Sequence, residues 1–140
     1  MTMKSTGATF LIRNALLASR LSRRVGNRLG IHGISFTEFL VMDFLSGSPN
    51  KAAPRIELAE HLGMSASGVT RLLAPMEKNG LVEKVSNPRD ARQSLVTLSR
   101  AGRRVCEQAR VSFEEVADEL LVNLSKGQQE MTIEMYGKLG

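Results

Sequence analysis

Apolar residues recur at helical spacing along most of this chain. Leu11, Ala15, Ala18, Leu21, Val25 and Leu29 fall three, four or seven residues apart, which predicts a helix over residues 10–29 with one apolar stripe. Gly30 and Gly33 break it. Ser35 and Glu38 then have the S-x-x-E spacing that satisfies two helix-end amides, and Ile34 and Phe39 flank them as a hydrophobic staple. The helix they start should partly bury Phe39, Leu40 and Met42 to Leu45, and end by Gly47.

Residues 46–54, rich in Gly, Ser, Pro, Asn and Ala, read as a connection. A short helix follows over 56–62, closed by Gly63, and Ser65 caps another over 66–79 with Gly80 just beyond it. Pro75 removes one backbone hydrogen bond and predicts a bend there, although the stripe Val69, Leu72, Leu73 and Met76 runs across it. After Gly80 the period changes. Residues 81–85 and 95–98 read as short strands, with 86–94 as the loop between them. A long helix is expected from the cap Ser99 to about Leu124, carrying Val105, Ala109, Phe113, Val116, Leu120 and Leu121 inward. A last helix starts at Ser125, boxed by Gln128, and runs towards Lys138. The fold class is therefore mainly α with a small β-hairpin.

A length of 140 residues suits one domain. Aromatics are only 4% and Trp is absent, so aliphatic side chains must fill the core, which favours helices. A formal charge of +5, doubled in a pair of copies, suits a polyanionic partner. The single cysteine, Cys106, excludes an intrachain disulfide framework and a cysteine zinc cluster. Arg13 interrupts the apolar run near the start, and no stretch reaches the roughly 18 uncharged apolar residues of a membrane span. A cytoplasmic protein without membrane contact is expected. His32 and His61 have no carboxylates at ligand spacing, and neither a nucleophile–base set nor a glycine-rich phosphate loop is found. No metal, cofactor or enzymatic activity is expected.

The informative stretch is RIELAEHLGMSASGVTRLLA, residues 55–74. Two steeply crossing helices need a small residue at their contact, which Ala59 supplies. Gly63 permits the tight turn, and Val69 reaches back to close the core. At about 100° per residue, Ser67, Thr70, Arg71, Ala74 and Lys78 face away from the apolar stripe. Small hydroxyls with an Arg and a Lys suit a helix entering the major groove of duplex DNA. Arg71 is the candidate for a base edge, and Ser65, Ser67 and Thr70 for phosphates or bases. The loop SNPRDARQS places Arg89 and Arg92 beside this helix, where they can enter the minor groove or clamp the backbone. Asp90 makes sense as an acceptor that pairs with a neighbouring Arg and fixes the loop.

The segments ELAEHLGMSASGVTRLLAPMEKNGLVEK and NPRDARQSLVTLSRAG, in that order, resemble the MarR family of winged helix-turn-helix regulators. That resemblance implies a homodimer on a near-palindromic operator. Residues 34–98 would form the DNA-binding part, and 7–30 with 99–140 the dimerisation helices of one domain over 1–140. It makes Arg92 the wing residue most expected to meet DNA, with Asp90 bracing it. Two departures stand out. Asn87 replaces the usual Asp, removing one acid that would brace the loop, and Ala91 occupies a position often held by Arg or Gly. Relatives often respond to small, frequently aromatic or phenolic, effectors that enter between the dimer helices and the winged part. Repression relieved by such an effector is expected, because binding over a promoter needs no further contact surface. Arg13, Leu17, His32, Phe36, Phe39, Met42 and Phe113 are the positions expected near that junction. A winged-helix interaction module without specific DNA recognition is the alternative. Cys106 reads as a small buried residue rather than a redox sensor.

Overall fold

The computed structural model describes residues 5–140; the chain start with Lys4 lies outside them. Helix α1 spans Thr6–Leu29 and starts earlier than the apolar stripe does, because the Ser5 hydroxyl accepts the Ala8 amide at 3.2 Å and caps it. Only its last turns are covered: Val25 and Leu29 are buried, whereas Leu11 is 66% exposed. A 3₁₀ turn, Gly30–His32, and Gly33 at φ 74° lead to α2, Phe36–Ser46. Its capping box is formed, with Ser35 and Glu38 each accepting the other's amide. Ile34 and Phe39 are both buried, as a staple requires.

The connection after α2 holds a strand that its sequence conceals. Pro49–Lys51 forms a 3₁₀ turn, then β1, Ala52–Pro54, pairs antiparallel with a later strand. Ala-Ala-Pro has little strand preference of its own. The segment is held instead by its partner's ladder and by a reversal in which Asn50 and Lys51 both adopt positive φ, 58° and 57°. Lys51 Nζ donates to the Ser46 carbonyl at 2.6 Å, satisfying an acceptor at the end of α2.

Helices α3, Arg55–Leu62, and α4, Ala66–Lys78, follow, and α4 continues unbroken past Pro75. Strands β2, Val82–Asn87, and β3, Asp90–Leu98, complete a three-stranded sheet of order β1-β3-β2. The expected hairpin is thus part of a larger sheet. Its strands also run further than expected, leaving only Pro88 and Arg89 between them in place of a nine-residue loop. Helix α5, Arg100–Leu120, starts at the Ser99 cap and ends four residues short of Leu124. Ser125 must be extended to cap α6, Lys126–Tyr136, so residues 121–124 form a turn. Gln129 Nε2 braces that turn by donating to the Leu121 and Leu124 carbonyls.

One apolar core joins the end of α1, helices α2 to α4, the sheet and α5, with Leu29, Met42, Leu45, Leu58, Val69 and Leu73 fully buried. Helix α6 buries nothing within the chain. Its last residue meets α1, where the Tyr136 hydroxyl donates to Asn14 Oδ1 at 2.7 Å and the ring approaches Phe10. No single helix among the described residues is long and apolar enough to cross a membrane.

Candidate nucleic-acid interface

The turn between α3 and α4 is fixed by backbone chemistry. Gly63 sits at φ 65°, its amide reaches the Glu60 carbonyl at 3.3 Å, and the Met64 amide reaches Ala59 O at 2.9 Å. These two bonds close the end of α3 and aim the chain into α4. Ala59 is buried at the crossing and Val69 is fully covered. Glu77 on α4 takes the Arg55 guanidinium at 3.0 Å, tying the two helices at their outer ends. A second left-handed glycine, Gly80, ends α4 in the same way, with Leu81 N on Met76 O at 2.9 Å.

Two faces of α4 separate as the sequence predicts. Val69, Leu73 and Met76 are fully buried and Leu72 is half-buried, while Ser67, Thr70, Arg71, Ala74 and Lys78 are exposed. The hydroxyls are not equally available. Ser65 Oγ accepts the Gly68 amide at 3.1 Å as the helix cap, and Thr70 Oγ1 donates to Ala66 O at 3.1 Å. Arg71 and Lys78 project from the same exposed face as Ser67.

The wing is built around an irregularity in the ladder. Ser86 pairs with Ser94 and Asn87 with Asp90, so Ala91, Arg92 and Gln93 bulge from β3 without residues opposite them. Arg92 stands at the centre of the bulge with its side chain 96% exposed. The Asp90 carboxylate accepts the Arg92 amide at 3.0 Å and lies 3.7 Å from Arg92 Nε, the bracing contact expected of it. Arg89 occupies the turn. Its amide donates to Asn87 Oδ1 at 3.0 Å, and Asn87 Nδ2 donates to Gln93 Oε1 at 2.9 Å. Asn87 therefore braces the loop, in contrast to the loss that replacing an acid suggested. Nothing in the local sequence pattern marks Gln93; its place follows from the register shift between Ser86 and Asn87.

The seven positions expected near an effector fall in two parts of the chain. Arg13 and Leu17 line an open groove of about 450 Å³ with Phe10, Asn14 and Tyr136. Phe36, Phe39 and Phe113 form an aromatic cluster elsewhere, with the Phe39 and Phe113 ring centroids 4.7 Å apart. Phe39 and Met42 are buried, and the His32 ring nitrogen meets Ser112 Oγ at 2.7 Å. Cys106 is buried as expected, and burial pushes its thiol pKa up despite the Arg110 guanidinium 3.6 Å from the sulfur. His61 stacks on Phe44 at 4.3 Å, and no group of three or more metal-binding side chains occurs among the described residues.

The MarR family model matches residues 32–93. The HTH-type transcriptional regulator YdgJ of Bacillus subtilis (strain 168) is 28% identical over 83 residues, which make up 59% of this chain and 51% of that protein. The match thus spans about half of that relative's length. Among solved structures, a probable transcriptional regulator from Pseudomonas aeruginosa superposes with a TM-score of 0.82 at 26% identity, covering 98% of both chains. A MarR mutant from E. coli, solved in complex with operator DNA, gives 0.83 at 24% identity, covering 96% of this chain and 94% of that one. Sco3205 of Streptomyces coelicolor, a MarR family regulator solved with DNA, gives 0.84 at 18% identity, covering 99% and 89%. The family model thus lies over the helix-turn-helix and most of the wing, and nearly the whole chain shares the winged-helix fold of these transcriptional regulators.

Proposed function

We propose that the protein is a homodimeric, sequence-specific transcriptional regulator of the cytoplasm that binds a near-palindromic operator in duplex DNA. The observation that carries this reading is the two-sided character of α4: Val69, Leu73 and Met76 are buried on one face, and Ser67, Thr70, Arg71 and Lys78 are exposed on the other. Laid in a major groove, that face brings Arg71 to base edges and Lys78 to the phosphate backbone. Arg92 and Arg89 on the wing then reach the adjacent minor groove or backbone. Solved relatives bound to DNA share the fold that presents these elements.

Pairing of two copies is supported by the terminal helices. Phe10, Leu11, Ile12, Leu16 and Leu17 on α1, and Met131, Ile133, Met135 and Tyr136 on α6, are all exposed in the single chain. Mutual burial covers them and sets two reading helices roughly 34 Å apart, or a multiple of that, on successive groove faces. Repression is the proposed mode, since occupying a promoter needs no further contact surface. Relief by a small aromatic effector would draw on Arg13 and Leu17 in the α1 groove or on the cluster around Phe113.

Fluorescence anisotropy with DNA from upstream of the protein's own gene, against scrambled duplex at matched salt, tests the reading. Specific binding that falls on Arg71→Ala and on Arg92→Ala is expected. Equal, weak binding to every duplex, indifferent to both changes, would leave the interaction-module alternative in its place.

A further inference from the structure

We propose that Asn87 and Gln93 form a side-chain clamp that positions Arg92, and so sets how far the wing reaches into DNA. The inference rests on the DNA-binding reading above and adds two positioning residues to it. Three residues of β3 bulge with nothing opposite them on β2, so the ladder itself does not hold Arg92. Two side-chain arrangements do. Asp90 acts inside the bulge, its carboxylate accepting the Arg92 amide and facing the guanidinium. The Asn87–Gln93 bond acts across the base of the bulge, joining the last residue of β2 to the residue that follows Arg92.

Asn87 uses both ends of its amide. The oxygen takes the Arg89 amide and so fixes the Pro88-Arg89 turn, while the nitrogen donates to Gln93 and so closes the bulge. A carboxylate at position 87 would keep the first contact but lack a donor for the second. It would also cancel the positive balance of the tip, where Arg89 and Arg92 stand against Asp90 alone. Both amides are half-buried or at the edge of the sheet, and neither needs to touch DNA to act. The clamp confines Arg92 before binding, which lowers the ordering cost of placing it in a narrow groove.

Operator selected from a randomised duplex library serves as the probe, with Asn87→Ala, Gln93→Ala, the double variant, and Gln93→Ala combined with Arg92→Ala. Each single change is expected to weaken binding about 3- to 10-fold, the range of one net hydrogen bond. The double variant should lose no more than Asn87→Ala alone, and Gln93→Ala should add nothing once Arg92 is gone. In the free protein, amide exchange at Arg89 and Arg92 should quicken in both single variants while α4 amides keep their rates. Unchanged exchange in the wing, or an equal Gln93→Ala loss with and without Arg92, overturns the clamp. If Arg71→Ala still weakens binding in that case, only the clamp has failed. If Arg71→Ala and Arg92→Ala are both silent, the DNA-binding reading fails and takes the clamp's role with it.

Discussion

Gly102 faces the Leu81 carbonyl so closely that a Cβ at position 102 would lie 2.0 Å from its oxygen. The first turn of α5 is pressed against the chain leaving α4. Ser99 completes the joint, its amide donating to Leu81 O at 3.1 Å and its hydroxyl accepting the Gly102 amide at 2.9 Å. Backbone stands on both sides of this contact, so a methyl group has no flexible neighbour to displace. Gly102→Ala should destabilise the fold by about 1–3 kcal/mol, the usual cost of overpacking. Urea unfolding checks it, and a stability equal to wild type would show that the joint can open.

Arg71→Ala should leave unfolding midpoints unchanged, because its side chain is exposed and makes no hydrogen bond or ion pair among the described residues. Its effect is expected on operator affinity, about 10- to 100-fold, as for a side chain reading a base edge. Preference between operator and scrambled duplex should shrink with it.

Lys78→Ala should act differently. A phosphate contact weakens binding to all sequences alike and lowers the slope of log affinity against log salt by about 1 per site. Anisotropy titrations at four salt concentrations separate the two behaviours.

The Cys106 thiol gives a pH dependence of known sign. Burial is the largest cause of its raised pKa, ahead of the opposing Arg110 charge. As pH rises through the ordinary thiol range, unfolded chains lose the proton while folded chains still hold it, so stability falls with pH there. Cys106→Ala should remove that portion of the decline. Alkylation by iodoacetamide should likewise be slow until the protein is unfolded.

Charged substitutions at Leu17 or Ile133 should abolish self-association while leaving the helical circular dichroism spectrum of the chain intact. Both side chains are exposed in one copy, at 43% and 72%, so folding of that copy does not depend on them. Sedimentation velocity reads the outcome; a particle of unchanged mass would place the pairing surface elsewhere.

Local chemistry made the helix-turn-helix legible in the sequence. Ser35, Ser65, Ser99 and Ser125 each cap the helix their spacing announced, and Gly63 and Gly80 end theirs in the left-handed conformation. The exposed face of α4 followed from periodicity alone. What depends on partners distant in sequence was not legible. β1 exists because Val96 and Thr97 lie beside Ala53 and Ala52, more than forty residues away. The wing strands extend through Ser86 and Ser94, polar residues that alternate with nothing apolar yet pair across the hairpin. The start of α1 leaves little trace in the pattern, because Ser5 caps a turn that bears no apolar stripe. The effector positions divide between two places because Phe36, Phe39 and Phe113 pack on one another, while Arg13 and Leu17 lie in the α1 groove.

The brevity of β1 has a consequence for how copies of this protein can meet. It offers three residues, the last a proline without an amide hydrogen, and the opposite margin of the sheet carries exposed Glu83 and Lys84 and then a bulge. Neither margin is a template on which a foreign strand can zip up, so fibre-like growth finds no seed in the folded state.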